Sequence, residues 1–229
     1  MRETKERPIV FSSESVRAIL EGRKTQTRRL VDTARFTNFD IDTDGSFVSW
    51  QDAYGDHWKA HEFCPYGRPG DFLWVRETFA VLHSSWYNLR FGLGQYDDPG
   101  YDGETPNYRH IPKEPQPDCI LEYRAANRDP DEFEDDYKWR SPLHMPRWAS
   151  RITLEVKDVR CERMQDITVS DADKEGFPSG LATWNEGPGL TTGRGEFMAY
   201  WNKLNEKHGG GWNLNPWVWV IVFEAVKNA

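Results

Sequence analysis

The chain has 229 residues, of which 38% are hydrophobic and 14% aromatic, with 11 Trp and a formal net charge of −8. That aromatic content excludes a wholly disordered chain, and the length suits one domain that buries about 70% of the surface its unfolded chain exposes. No run of about 18 apolar residues occurs, which argues against a membrane span and any membrane partner.

Met1 to Arg7 is charged and no apolar stretch follows, so no secretory leader is expected. Pro8-Ile-Val-Phe11 reads as a short strand, and Ser12 and Ser13 offer a helix cap. Val16, Ile19 and Leu20 then fall at helical spacing, and Gly22 is placed to end the helix in a left-handed conformation. The basic run Arg23-Lys-Thr-Gln-Thr-Arg-Arg29 follows. Residues 32–63 lack helical periodicity and read as an insertion holding one hairpin. Pro69-Gly-Asp71 is a turn signal, and Phe72 to Phe79 reads as a strand. Residues 83–118 are rich in Gly, Pro, Tyr and Asp and read as a long excursion, followed by a short strand at Cys119 to Tyr123 and an acidic loop at 129–136. Alternation at 152–159 predicts a half-buried strand. Ser170 to Glu175 predicts a short helix, with Ser170 and Asp173 at capping-box spacing. Gly195 to Lys207 predicts a longer helix with Phe197, Tyr200, Trp201 and Leu204 on one face. Trp217 to Phe223 is an apolar run, as in a strand buried on both faces. Short, irregularly spaced strands without βαβ alternation predict an α+β domain whose sheet closes into a small barrel.

The charge is uneven along the chain. Residues 97–136 hold 13 Asp and Glu against 4 Lys and Arg, whereas residues 1–30 hold 8 basic against 4 acidic residues. A chain with this distribution can offer a basic face to phosphates while one segment repels polyanions. The three cysteines, Cys64, Cys119 and Cys161, are too scattered for a disulfide framework and read as reduced thiols, which points to the cytoplasm.

Gly22-Arg-Lys-Thr-Gln-Thr-Arg28, after a short strand and helix, resembles the G-x-K-x-x-x-R signature of ASCH domains, members of the PUA-like barrel group. Pro69-Gly-Asp-Phe-Leu-Trp-Val75 resembles the turn and strand that follow in such barrels, and the C-terminal order of strand, two helices and apolar strand is similar too. The resemblance runs through Pro8 to Leu30, Cys64 to Thr78 and His144 to Phe223 and is to the larger ASCH proteins of phages and prophages; such a protein would work in the host cytoplasm. It implies one PUA-like domain over residues 1–229, a small β-barrel with flanking helices and long insertions at 32–63 and 83–140.

ASCH domains are associated with RNA binding, and one compact bacterial branch hydrolyses N4-acetylcytidine to cytidine and acetate with a Lys, a Thr and a Glu. The resemblance places these at Lys24, Thr27 and Glu175. Amide hydrolysis needs a nucleophile, a base that activates it and an acid for the leaving amine. Thr27 would supply the hydroxyl, a Lys24 of lowered pKa the base, and a desolvated Glu175 the proton for the cytosine amine. In a fully extended strand, however, Lys24 and Thr27 point to opposite sides.

Other residues carry binding potential. Arg28 and Arg29 can fork onto phosphates or pair with carboxylates. Trp74 and Arg76 share one face of their strand and Glu77 the other, and which face lines a pocket is left open. Arg147 and Trp148, in His144-Met-Pro-Arg-Trp148, can bind a phosphate and stack on a base, or Trp148 can be core. His57, His61 and Cys64 have a zinc-compatible spacing only if 57–61 is helical, and no fourth ligand follows. Gly187, Gly189 and Gly193 have no strand before them, as a dinucleotide loop requires. Neither a metal nor a cofactor is therefore expected.

Three functions remain: hydrolysis of N4-acetylcytidine or a related N-acylated base, a non-catalytic module that reads RNA, and, less favoured, a ribonuclease. The acidic insertion favours a free modified nucleoside over long RNA as partner, and it is also a candidate surface for a host protein. Oligomeric state is not legible.

Overall fold

A computed structural model describes residues 3–32, 38–42, 47–51, 57–84, 107–108, 110–126, 137–178 and 193–226. In chain order the elements are β1 (Glu6–Val10), α1 (Ser13–Leu20), β2 (Gln26–Leu30), β3 (Asn38–Ile41), β4 (Phe47–Gln51), β5 (His57–Trp58), α2 (Ala60–Phe63), β6 (Phe72–Arg76), β7 (Phe79–His83) and β8 (Cys119–Tyr123). Then come β9 (Thr153–Arg163), α3 (Val169–Lys174), α4 (Gly193–Asn205) and β10 (Trp217–Val226). The architecture is mixed α+β, as expected. The largest sheet has five strands in the order β1-β6-β9-β10-β2, beside a three-stranded β3-β4-β5 sheet and a β7-β8 pair. No closed barrel is formed among the described residues. No helix among them is long and apolar enough to cross a membrane.

The chain divides into two compact units, one of Met1–Arg7, Ala18–Leu73 and Leu154–Ala229, the other of Pro8–Arg17 and Trp74–Thr153. In the first, β2 and β10 pair antiparallel with Thr27 opposite Ile221 and Arg28 opposite Val220. Val218 and Val220 of β10 share a core with Ala172 of α3, Phe197 and Trp201 of α4, and Met164, Ile167 and Trp212. Each such fully buried aliphatic side chain contributes about 1.5–3 kcal/mol. The predicted inward face of α4 is corrected at one position: Phe197 and Trp201 are buried, whereas Leu204 is 48% exposed. The cap of α3 also lies two residues earlier than the spacing of Ser170 and Asp173 suggests. The Thr168 hydroxyl accepts from Asp171 N, and Asp171 reaches back to Thr168 N.

The polar turn at Pro69-Gly-Asp71 is fixed by Asp71. Its buried carboxylate accepts from Lys5 N at 3.1 Å, Arg68 N at 3.2 Å and Arg7 Nη1 at 2.8 Å.

In the second unit, Phe79, Val81, Met145 and Ala149 form one core, with Leu121, Tyr123 and Trp148 packed on it. Ala80, Leu82 and Tyr137 form another, with Ile120 and Trp139 against it. Both faces of β7 are thus buried, and the strand expected over Phe72 to Phe79 is two strands, broken at Glu77 and Thr78. Most of the 83–118 excursion, the 127–136 loop, Gly187 and Gly189 lie outside the described residues.

Candidate functional site

The site in the first unit is built by the end of α1 and by β2. Ser12 Oγ accepts from Ser15 N at 3.2 Å and starts the helix. Gly22, at φ 72°, turns the chain out of it, and Arg23 N and Lys24 N both donate to Ala18 O, at 2.9 and 3.0 Å. The backbone then runs extended. Lys24 forms an antiparallel bridge with Glu175, and Thr25 N donates to Lys174 O at 2.9 Å. Glu175 closes α3, its N–H bonding back to Asp171 O and Ala172 O. Gly176, at φ 96°, redirects the chain past Ala18, where an added Cβ would lie 3.2 Å from the Ala18 Cβ and 3.5 Å from the Lys24 Cβ.

This backbone pairing brings side chains 151 residues apart into contact. Lys24 Nζ donates to Glu175 Oε2 at 2.6 Å and to Glu175 O at 2.9 Å. Arg28 Nη1 donates to the other carboxylate oxygen, Oε1, at 3.1 Å. Lys24 and Arg28, four residues apart, therefore bind one carboxylate. Arg28 also bonds Glu162 Oε1 through Nε, at 3.2 Å, and through Nη2. Its Nη2 lies 3.6 Å from Asp171 Oδ2, and its guanidinium carbon sits 5.9 Å from the Phe197 ring centroid. Arg160 completes the network, with Nε on Glu162 Oε2 at 3.0 Å and Nη2 on Asp171 Oδ1 at 3.3 Å. Gln26 Nε2 donates to the same Asp171 oxygen at 3.3 Å.

Lys24 and Glu175 are each only 4% exposed and Arg28 2%. Burial pushes the Lys24 ammonium below the usual lysine range; the Glu175 carboxylate opposes that shift, while Arg29 and Arg28 add to it. Burial pushes the Asp171 carboxyl up, but the Thr168 hydrogen bonds and the guanidinium groups of Arg28 and Arg160 outweigh it and hold the pKa below the usual value.

No family model, curated protein or solved structure matches the chain.

Thr27 is brought to β2 but not to this network. It alternates with Gln26 and Arg28 along the strand and so takes the opposite face. It is 1% exposed, and its hydroxyl accepts from Arg29 Nη1 at 2.8 Å. Arg29 also donates to Arg28 O at 2.9 Å.

The remaining sequence candidates lie in the second unit. Trp74 is buried, and Arg76 and Arg147 lie over its ring. Glu77 is 1% exposed and is held by Arg151 in a two-point contact of 2.9 and 3.0 Å. Trp148 is half-buried, packs on the Phe79 core and donates from Nε1 to Pro112 O at 3.2 Å. Among the described residues no three His, Cys, Asp or Glu side chains are grouped as a metal ion requires. His57 lies in a strand, so the helical spacing that zinc would need is not formed.

Glu162, Asp171 and Arg160 escaped the sequence reading. Arg160 and Glu162 occupy the face of β9 opposite Val159 and Cys161, after the buried alternation slips by one residue at Lys157 and Asp158. That slip, visible as the mismatched end of the alternating run, was the available signal.

Proposed function

We propose that this chain is an ASCH-type, PUA-like protein whose Lys24–Glu175 site takes a modified or flipped pyrimidine nucleoside and hydrolyses the amide of N4-acetylcytidine or a related N-acylated base. The observation that carries the reading is the 2.6 Å contact between Lys24 and Glu175, two residues that the motif resemblance alone had paired in function. Desolvation lowers the pKa of Lys24, against the opposing pull of Glu175, in the direction a general base needs. The proposed reaction needs the Thr27 hydroxyl, which lies across β2 from Lys24, to attack the acetyl carbonyl and to pass its proton to Lys24. The Lys24–Glu175 contact offers that proton a path to Glu175, which delivers it to N4 as the C–N bond breaks. Water then hydrolyses the acetyl ester and frees acetate. Arg28, gripped by Glu162, holds the second oxygen of Glu175 and so fixes the direction of the first.

One observation favours a second reading, a non-catalytic module for a modified base or RNA: the Thr27 hydroxyl lies across β2 from Lys24 and is bound by Arg29. The test is incubation of the protein with N4-acetylcytidine, free and within RNA, followed by chromatography for cytidine and acetate. Turnover supports the hydrolase. Saturable binding without turnover supports the module. Neither binding nor turnover overturns both.

A further inference from the structure

In the second unit, Arg140 is held beside β7 by its backbone. Its N–H donates to Phe79 O at 2.8 Å, and Phe79 N returns a bond to Arg140 O at 3.4 Å. Next to it, Tyr108 N donates to Val81 O at 3.0 Å, and Lys138 N donates to Asn107 Oδ1 at 2.7 Å, which ties the two segments together. The Arg140 side chain spans them, with Nη2 donating to Tyr108 O. Among the described residues its guanidinium has this one hydrogen bond and no carboxylate partner. Nε is buried with no acceptor. Arg151, Arg160 and Arg194 differ, since each places Nε on an oxygen, at 2.9, 3.0 and 3.0 Å. Burial pushes the Arg140 pKa below the usual arginine range, and no carboxylate opposes the shift. A guanidinium nevertheless stays charged at neutral pH, and a charge drawn out of water without a counter-charge is costly. Buried donors in proteins nearly always have acceptors. Arg140 is half-buried, so a small solute can reach it.

We infer that Arg140 anchors a binding site for a small carboxylate. A planar guanidinium presents parallel donors that match the two oxygens of such a group. One uncompensated positive charge calls for one negative charge. A carboxylate monoanion neutralises it, whereas a phosphate dianion would leave an excess charge in the same half-buried place. The buried position of Nε favours a ligand small enough to enter beside it. The bonds to Phe79 and Tyr108 hold the arginine in place before the ligand arrives, which lowers the ordering cost of binding. The site uses none of Lys24, Thr27 or Glu175, and it stands or falls apart from the hydrolase reading.

The test is nitrogen-15 NMR of the arginine Nε–H groups in the full chain. Sodium acetate is titrated against sodium chloride at constant ionic strength, with inorganic phosphate in a parallel series. The expected result is a saturable shift of the Arg140 Nε–H signal with acetate, a weaker response to phosphate and none to chloride. Thermal unfolding is followed alongside. Acetate at about ten times its Kd is expected to raise Tm by roughly 3–6 °C. That rise should vanish in Arg140→Gln and shrink in Arg140→Lys, which keeps the charge but loses the fork. The Arg140 signal is assigned by through-bond transfer from its own backbone, so the wild-type titration decides the matter even if neither variant folds. An Arg140 Nε–H signal indifferent to acetate, phosphate binding tighter than acetate binding, or a Tm rise that survives in Arg140→Gln overturns the inference.

Discussion

Replacing Glu175 by Gln keeps its size and removes its charge. In the folded protein the carboxylate takes Lys24 on Oε2 at 2.6 Å and Arg28 on Oε1 at 3.1 Å, and the Lys24 and Glu175 side chains are 3% exposed. The amide offers one acceptor oxygen where two cations each need one, and its NH2 group must face the other cation. Breaking a buried pair from one side costs about 3–5 kcal/mol. At roughly 2–4 °C per kcal/mol for a chain of this size, Tm should fall by roughly 6–20 °C. Urea unfolding followed by tryptophan fluorescence measures the loss. The double variant Lys24→Met/Glu175→Gln removes both charges and is expected to lose less than the two single losses combined, with a coupling of about 0.5–3 kcal/mol. A loss below about 1 kcal/mol for Glu175→Gln, the worth of a solvated pair, would refute the burial on which this reasoning depends.

Further outcomes follow from the same network. Asp171 has a folded pKa below its ordinary value, so its contribution is complete above about pH 4 and is lost as pH falls through the lower folded value. Asp171→Asn should therefore flatten the acid limb of a stability-against-pH curve, and an unchanged limb would count against the Arg28 and Thr168 contacts. Arg28→Lys keeps one charge but cannot serve Glu162 and Glu175 together, so denaturant unfolding should show a loss of about 1.5–3 kcal/mol. Gly176→Ala places a Cβ at φ 96° and 3.2 Å from Ala18, and thermal unfolding should register about 1–3 kcal/mol of strain.

The elements set by local chemistry were legible in the sequence. Ser12 and Gly22 mark both ends of α1, and the unbroken apolar run of β10 announces burial on two faces. β2 was not legible, because Gln26, Thr27 and Arg28 carry no apolar alternation. Gln26 and Arg28 are buried against partners that arrive from 134 to 147 residues away, as Glu162, Asp171 and Glu175 do. The same distance explains the site. A short motif points to Lys24 and Glu175, but only the bridge between β2 and the end of α3 brings them together. The alternation rule that places Thr27 on the far face of β2 was available from the start, and the extended backbone of 26–30 obeys it.

The role of Thr27 is where the hydrolase reading is most exposed. Wild-type protein and Thr27→Ala, each shown to be folded by circular dichroism, are mixed with N4-acetylcytidine, and intact mass is recorded beside product release. The hydrolase reading predicts cytidine and acetate from the wild type, a transient gain of one acetyl group in mass, and neither in Thr27→Ala. Turnover that persists in Thr27→Ala, or a wild type that leaves the nucleoside intact, would contradict it.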